Sequence, residues 1–198
     1  MVKRGHMSNN VILIGAGGHA KSLIEVIEDQ GIYKIEGLLD DNLPLGLMVS
    51  DYPVIGALRD IDEYKTRQRG FIIAIGNLAI REKIFASLVL WRQNIPNIVS
   101  PKAIVSYRSR LGIGSQIMAG AYIGPDVKIG KNSIINTKAI IEHDCEIGDN
   151  THICPGVTVI GGQVVYDRIM VGAGAVVTKH LKEPGTYIGV PARKYDIR

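Results

Sequence analysis

The second half of the chain carries an aliphatic residue at every sixth position. Val, Ile and Leu together make up roughly a quarter of an average protein, and chance does not place them at thirteen successive positions six apart. A period of six indicates a parallel β-helix, in which coils stack and the repeated residue points inward. The thirteen positions are Val105, Leu111, Ile117, Ile123, Ile129, Ile135, Ile141, Ile147, Ile153, Val159, Val165, Val171 and Val177.

Small residues accompany this repeat. The position two before each aliphatic residue is often Ala, Ser, Cys or Thr, which suits the limited room near the corner of a coil. The position after it is often Gly, which we expect to ease tight backbone turns. These glycines are Gly112, Gly124, Gly130, Gly148 and Gly172.

The first half of the chain alternates short apolar segments with helical patterns, which indicates βαβ units and a parallel sheet. Pro96 and Pro101 mark the change of rhythm. We therefore expect an α/β, Rossmann-like half domain over 10–100 and an all-β parallel β-helix with a tail over 101–198, preceded by a tag or disordered segment over 1–9. The predicted strands are Val11–Ile14, Ile35–Leu39 and Phe71–Ile75, and the predicted helices are His19–Asp29, Leu58–Thr66 and Leu78–Gln93.

Composition narrows the class of protein. The 198 residues are 46% hydrophobic and 21% charged, with a net charge of +4, which is typical of a soluble globular protein. The chain lacks the Lys/Arg block of a nucleic-acid-binding protein, an apolar stretch long enough for a membrane span and the apolar core of a signal peptide. Two cysteines are too few for a disulfide framework, so we expect a cytoplasmic location.

A glycine-rich loop joins the first predicted strand to the first predicted helix. Residues Gly15–Ala20 fit the pattern G-x-G-x-x-A, and Asp40 lies at the end of the next strand, as in NAD-binding domains. The α/β pattern ends near residue 93, however, which leaves room for only half of a dinucleotide-binding fold. Glycines at a helix N-terminus still favour a phosphate or sugar ligand, and an NAD-linked enzyme stays as an alternative.

His143 is the strongest candidate for a catalytic residue. It lies two positions after the inward-pointing Ile141, so the register of the repeat places it outside the core. Imidazole has an ordinary pKa of about 6.5 and can accept a proton at neutral pH, and general-base catalysis typically contributes about 10²–10⁴-fold. The neighbouring Asp144 is expected to hold the ring.

A metal site and a cysteine nucleophile are both disfavoured. His152 and His180 are the other histidines of this half, and they lack the spacing of a three-histidine zinc site. Cys145 occupies an inward small position, and Cys154 has no partner pattern for a nucleophile. We therefore expect no bound metal and no covalent acyl-enzyme.

These motifs together resemble the hexapeptide-repeat acyltransferases, and among them the bacterial sugar acyltransferases of the sialic-acid O-acetyltransferase and 4-amino-sugar N-acetyltransferase type. The resemblance implies a left-handed β-helix, a homotrimer with active sites between subunits, acetyl-CoA as co-substrate and a nucleotide-sugar bound by the N-terminal domain. The matching motifs are Ile14–His19, Leu39–Asp41, Ile73–Asn77 with Arg81, Ile141–Cys145 and Gly189–Ala192.

The resemblance also implies roles for individual residues. His143 would be the general base and Asp144 its acidic partner. Arg193 and Lys194, with Lys179, would pair with CoA phosphates. The residues expected to bind the nucleotide-sugar are Gly17, Gly18, His19, Asp40, Asp41 and Gly76, and those expected to contact acetyl-CoA are His152, Gly161, Ala173, Gly174, Lys179, Pro191 and Arg193.

The expected reaction is direct acetyl transfer to the amino group of a nucleotide-linked sugar, with a UDP-linked 4-amino-4,6-dideoxy sugar as first choice. O-acetylation of a sugar or sialic acid on the same fold is the alternative. A non-catalytic protein that binds nucleotide-sugars belongs to a different class, and the outward position of His143 beside Asp144 argues against it.

Overall fold

The computed structural model describes residues 9–66 and 69–195, which form two compact units. The first unit takes in the described residues up to 75 together with 84–96, and the second takes in 76–83 together with 97–195. The segment 76–83 is thus grouped with the C-terminal half of the chain. Residues 1–8 of the predicted tag lie outside the described residues.

The first unit is built on a five-stranded sheet. The strand order is β3-β4-β2-β1-β5, parallel except for the antiparallel β3–β4 pair. Because β1 lies between β2 and β5, the loop after β1 opens at the carboxyl edge where ligands of such sheets bind. The elements are β1 (Asn10–Ile14), α1 (Gly18–Gln30), β2 (Lys34–Leu39), β3 (Met48–Val49), β4 (Tyr52–Gly56), a 3-10 helix (Leu58–Tyr64) and β5 (Arg69–Ile73). The helix α2 (Leu78–Leu90) begins in the segment grouped with the second unit and ends in the first.

The predicted elements of this unit are present with shifted ends and one addition. The segment Leu58–Thr66, expected to be helical, is a shorter 3-10 helix. The β3–β4 hairpin was not predicted, and its two turn residues, Ser50 and Asp51, both have positive φ. Such left-handed turns commonly use Asn-Gly or Asp-Gly, and Ser-Asp carries a weaker signal.

Strands β1 and β5 supply the core of the first unit. Val11–Ile14 is at most 1% exposed at every position, as expected for a parallel strand covered on both faces. Phe71 and Ile73 of β5 pack with Ile12 and Ile14. Burial on both faces explains why β1 is a continuous apolar segment rather than an alternating one.

The second unit is a three-faced parallel β-helix. Strands on each face pair with strands 18 residues away, so that one coil consists of three six-residue repeats. One face contains β6 (Ile98–Val99), β9 (Gln116–Ile117), β12 (Ile134–Ile135), β15 (His152–Ile153), β18 (Ile169–Val171), β20 (Gly185–Ile188) and β21 (Arg193–Lys194). A second contains β7 (Ile104–Val105), β10 (Tyr122–Ile123), β13 (Ile140–Ile141), β16 (Thr158–Val159) and β19 (Val176–Val177), and the third contains β8 (Arg110–Leu111), β11 (Lys128–Ile129), β14 (Glu146–Ile147) and β17 (Val164–Val165).

The inward positions of the six-residue repeat are confirmed. Eleven of the thirteen aliphatic residues are buried in one continuous core, and Val105 and Leu111 at its start are partly buried against it. The small residues two positions earlier, such as Ala121 and Ala139, are also fully buried. Each coil therefore buries its apolar side chains only because its neighbours cover them.

The glycines that follow the inward residues do not ease turns, and that expectation is wrong. At Gly112 and Gly130 an added Cβ would lie 2.6 Å and 2.5 Å from the backbone nitrogens of Lys131 and Asp149 in the next coil. These glycines are therefore required because stacked backbones approach each other closely.

Positive φ, which does mark the turns, occurs two residues later in the repeat. It recurs at every sixth residue at the corners of the coils, where Gly, Asn and Asp adopt it most easily. The corner residues are Gly114, Gly120, Asp126, Asn132, Lys138, Asp144, Asn150, Gly156, Gly162, Arg168 and Gly174.

A buried arginine fixes the segment 76–83 to the β-helix. Arg81 is fully buried, and its guanidinium donates hydrogen bonds to the carbonyl oxygens of Asn132 (3.0 Å) and Gly114 (3.2 Å). Burial lowers the pKa of Arg81 to about 9, so it stays a cation at neutral pH. The adjacent Glu82 forms an ion pair with Arg168, with 2.7 Å between Oε1 and Nη2.

The two kinds of glycine predict different effects of substitution. Gly130→Ala forces a Cβ against the backbone of the next coil, and we expect it to destabilise the fold by about 1–3 kcal/mol. Gly156 has φ of +69°, and nothing lies within 4 Å of a Cβ added to it, so Gly156→Asn should change the free energy of unfolding by less than about 0.5 kcal/mol. Denaturant titration measures both, and equal losses would contradict the close-stacking explanation.

Candidate active site

The structure places His143 and Asp144 together on the surface of the β-helix. His143 follows β13, and its side chain is 61% exposed. Asp144 occupies a corner of the coil with φ of +58°, and its side chain is 67% exposed. The outward position predicted from the register is therefore what the structure shows for both residues.

The two side chains are joined by a short polar contact. Nδ1 of His143 lies 2.8 Å from Oδ2 of Asp144. Because a carboxylate only accepts hydrogen bonds, Nδ1 carries the proton and Nε2 of the neutral ring keeps its lone pair. The pair thus presents one nitrogen that can accept a proton from a substrate.

Backbone hydrogen bonds to the neighbouring coils hold this pair in place. The nitrogen of Asp144 donates to the carbonyl oxygen of Pro125 (3.1 Å), and the carbonyl oxygen of His143 accepts from the nitrogen of Gly162 (2.9 Å). Successive coils are thus tied one above the other. The base candidate therefore lies at a turn whose backbone is hydrogen-bonded to the coils on both sides.

The glycine loop after β1 has two different kinds of glycine. Gly15 has φ of +100°, and an added Cβ would lie 2.6 Å from the side chain of Ile75, so the fold itself requires glycine there. Gly17 and Gly18 have ordinary φ and nothing within 4 Å of an added Cβ. Packing does not explain these two glycines, and a ligand lying against the backbone would.

Two further residues, His19 and Gly76, are predicted to bind the nucleotide-sugar. His19 is half-buried in the first turn of α1. Gly76 directly follows Ile75 in the chain and has open space around an added Cβ. Their contacts with a ligand stay predictions.

The carboxylates of the two aspartates after β2 accept hydrogen bonds from the chain's own backbone. Oδ2 and Oδ1 of Asp40 accept hydrogen bonds from the nitrogens of Ala16 and Asn42, both at 2.9 Å. Oδ1 of Asp41 accepts from the nitrogen of Leu58 at 2.8 Å. Asp40 therefore shapes the glycine loop, and Asp41 caps the 3-10 helix.

The aspartates and the glycines line different cavities. Gly17 and Gly18 line one of about 420 Å³, together with Lys21 and Ser50. Asp40 and Asp41 line another of about 450 Å³. Gly17 and Gly18 thus line a different cavity from Asp40 and Asp41.

His152 points away from its coil and is nonetheless buried. It directly precedes the inward Ile153, which places it on the outer side of the coil. It is only 9% exposed, and its Nε2 lies 3.0 Å from Nδ2 of Asn136. The residues stacked below it on the same face, Gln116 and Ile134, are also buried, so this part of the outer surface is covered.

The other residues predicted to contact acetyl-CoA are found near the upper end of the stack. Ala173 and Gly174 form an exposed corner, and Lys179 is exposed 18 positions after Gly161. Pro191 and Arg193 are exposed, with Nη1 of Arg193 donating to the carbonyl oxygen of Ala192 (2.9 Å). Their contacts with acetyl-CoA stay predictions.

Gly161 lies directly beside the base candidate. An added Cβ there would be 2.6 Å from Nε2 and 2.7 Å from Cε1 of His143. Gly161 was expected to contact acetyl-CoA, and its contact with the imidazole was not foreseen, although the 18-residue spacing of the two residues carried that information.

Metal-binding clusters and membrane-spanning helices are both absent from residues 9–66 and 69–195. Within these residues no three His, Cys, Asp or Glu side chains are grouped so as to hold a metal ion. None of the helices there is both long enough and apolar enough to cross a bilayer.

Neither cysteine has the surroundings of an activated nucleophile. Burial raises the pKa of Cys154 to about 11 and also raises that of Cys145. The thiol of Cys145 donates to the carbonyl oxygen of Ile160 at 3.2 Å inside the coil. Nucleophilic cysteines need a lowered thiol pKa, whereas the pKa values of Cys145 and Cys154 are both raised.

Comparison with known proteins agrees with this architecture. A PglD N-terminal domain model matches residues 10–88, and a model of bacterial transferase hexapeptides with six repeats matches residues 129–161. The crystal structure of PerB from Caulobacter crescentus, in complex with CoA and GDP-perosamine, superposes with a TM-score of 0.78 at 30% identity, covering 94% of this chain and 97% of that one. The chain belongs to the sugar acyltransferases of the hexapeptide-repeat superfamily.

Another acetyltransferase of known structure is also similar in fold. The acetyltransferase domain of PglB from Neisseria gonorrhoeae FA1090 has a TM-score of 0.85 at 28% identity, covering 95% of this chain and all of that one. The second unit of the present chain is accordingly a left-handed β-helix.

Two relatives identified by sequence share only part of their length with this chain. The UDP-N-acetylbacillosamine N-acetyltransferase of Bacillus subtilis is 34% identical over 112 residues, which are 56% of this chain and 51% of that protein. An uncharacterized protein of Acanthamoeba polyphaga mimivirus is 35% identical over 139 residues, or 70% of this chain, and the match spans 24% of its length.

The raised thiol pKa values predict slow labelling of both cysteines. At pH 8 a thiol of pKa about 11 is thiolate in on the order of one molecule in a thousand, so Ellman's reagent should react with the native chain at less than about a tenth of the rate of free cysteine. The chain unfolded in guanidinium is the control and should react at both thiols. Rapid labelling of native Cys154 at pH 7 would instead indicate an activated nucleophile.

Proposed function

We propose that this chain is an acetyl-CoA-dependent N-acetyltransferase that acts on the amino group of a nucleotide-linked sugar. The observation that carries the proposal is the exposed His143–Asp144 pair, with Nδ1 held by the carboxylate and Nε2 directed away from it. PerB was solved with CoA and GDP-perosamine, and the Bacillus subtilis relative is named a UDP-N-acetylbacillosamine N-acetyltransferase. A cytoplasmic location is expected.

The proposed chemistry is direct transfer. The sugar nitrogen attacks the carbonyl carbon of the acetyl thioester while Nε2 of His143 takes one of its protons. The new C–N bond forms, the C–S bond breaks, and CoA leaves as a thiolate that is then protonated. Asp144 stabilises the imidazolium that forms on His143, and neither cysteine takes part.

The nucleotide-sugar is proposed to bind at the glycine loop of the first unit. Gly17 and Gly18 leave the backbone at the N-terminus of α1 open, and Lys21 lines the same cavity with a positive charge. Such an arrangement suits a diphosphate. We retain a UDP-linked 4-amino-4,6-dideoxy sugar as first choice, and a GDP-linked sugar is the competitor because PerB was solved with GDP-perosamine.

A homotrimer is proposed to complete the active site. On one chain the side chains of His143 and Asp144 are 61% and 67% exposed, whereas acyl transfer needs a site that holds the thioester and excludes water. A neighbouring copy would supply the missing wall. Light scattering should give three times the 21.5 kDa mass of one chain, and a monomer that is fully active would contradict this arrangement.

The identity of the base is tested by substitution at His143. His143→Ala should lower kcat by about 10²–10⁴-fold, because no other group accepts the proton. Asp144→Asn keeps a residue that tolerates positive φ at this corner and should cause a smaller loss, on the order of tenfold to a hundredfold. A His143→Ala enzyme with near-wild-type kcat would remove the base assignment.

The acceptor is tested with a panel of nucleotide sugars. CoA release should be seen with UDP- or GDP-linked 4-amino-4,6-dideoxy sugars and should be at least about 100-fold slower with matched 4-hydroxy sugars. Faster acetylation of the hydroxy sugars or of sialic acid would favour the O-acetyltransferase. The absence of turnover with every acceptor, together with tight sugar binding, would favour a non-catalytic binding protein.

A further inference from the structure

Gly161 stands apart from the other glycines of the β-helix in what it contacts. A Cβ added to it would lie 2.6 Å from Nε2, 2.7 Å from Cε1 and 3.2 Å from Cδ2 of His143. At Gly112, Gly124 and Gly130 the nearest atoms include the backbone of the next coil. At Gly161 all three are atoms of one imidazole ring.

The backbone conformation does not require glycine at this position. Gly161 does not have the positive φ of the neighbouring corner residue Gly162, so an alanine would not strain the backbone. It lies 18 residues after His143, which puts it at the equivalent position of the next coil. Its missing side chain is the space that the imidazole of His143 occupies.

We propose that Gly161 is a positioning residue that seats the imidazole of His143 in its reactive orientation. The inference rests on the proposed function, since it assumes that His143 is the base. With no Cβ above it, the ring lies against the coil, keeps Nδ1 at 2.8 Å from Asp144 and holds Nε2 over the space that the glycine leaves. This steric role differs from the contact with acetyl-CoA that family resemblance implies for Gly161.

Gly161→Ala is therefore expected to fold normally and to lose activity. The atoms that an added methyl would strike belong to an exposed side chain that can rotate away, so the melting temperature should stay within about 3 °C of the wild-type value. Rotation breaks the contact with Asp144 and moves Nε2, and a displacement of about 1 Å can cost on the order of 10²-fold in rate. We expect kcat to fall by about 10–10²-fold with little change in KM for acetyl-CoA.

The orientation of the His143 ring can be measured by NMR, independently of enzyme activity. Long-range 1H–15N spectra of the histidine rings, assigned with His143→Gln, should show His143 protonated on Nδ1 in the wild-type chain at pH 8. In Gly161→Ala this tautomer preference should weaken, because Nδ1 has left the carboxylate. Gly156→Asn is the control for a glycine substitution elsewhere on the coils and should leave the His143 signals unchanged.

Introducing Gly161→Ala into a His143→Ala variant distinguishes the steric role of Gly161 from a direct contact with CoA. In His143→Ala the ring is absent, so adding Gly161→Ala should leave the Kd for CoA within about twofold. Weaker CoA binding in both backgrounds would assign Gly161 to the co-substrate and overturn the proposal, as would wild-type kcat and unchanged His143 signals in Gly161→Ala. An active His143→Ala enzyme with displaced ring signals in Gly161→Ala would instead show that the base assignment has failed while the seating of the ring holds.

Discussion

Close contact between the backbones of successive coils is the constraint on which the rest of the second unit depends. Positions 18 apart are brought into register by parallel strand pairs, and wherever the backbones approach most closely only glycine fits, as at Gly130. The buried column of aliphatic residues supplies the driving force, and the stacking fixes where each outward side chain lies. His143 is placed by this rule, not by a flexible loop.

The stacking of coils also explains why few residues of one chain make up the candidate site. A corner needs a residue that accepts positive φ, and aspartate at Asp144 both satisfies that need and offers a carboxylate to the preceding ring. The next coil then has to leave room for that ring, which Gly161 does. Asp144 and Gly161 thus serve both the stacking of the coils and the candidate site. The segment 76–83 is attached to the same unit through the hydrogen bonds of Arg81.

The repetitive parts of the molecule were the parts that the sequence could predict. A period of six repeated thirteen times averages out local exceptions, so the core of the β-helix and the outward position of His143 followed directly. The β3–β4 hairpin was missed because its Ser-Asp turn lacks glycine. Positive φ at the corners was detectable from Gly, Asn and Asp, but Lys138 and Arg168 interrupt that pattern.

Features that depend on contacts between distant residues could not be predicted in the same way. The burial of His152 depends on what covers one face of the coil, and the burial of Arg81 depends on two carbonyl oxygens far along the chain. Nor did the spacing of Asp40 and Asp41 show that both carboxylates bind the chain's own backbone. Periodicity reports which side of an element faces the core, and it does not report what lies on the other side.

A crystal structure of the chain with CoA and a 4-amino nucleotide sugar would test the central claim most directly. The quantity to measure is the distance from Nε2 of His143 to the sugar nitrogen. The account predicts hydrogen-bond distance, about 2.6–3.2 Å or one bridging water, with the CoA sulfur nearby. A sugar nitrogen more than about 6 Å from that imidazole, with no water between them, would contradict it.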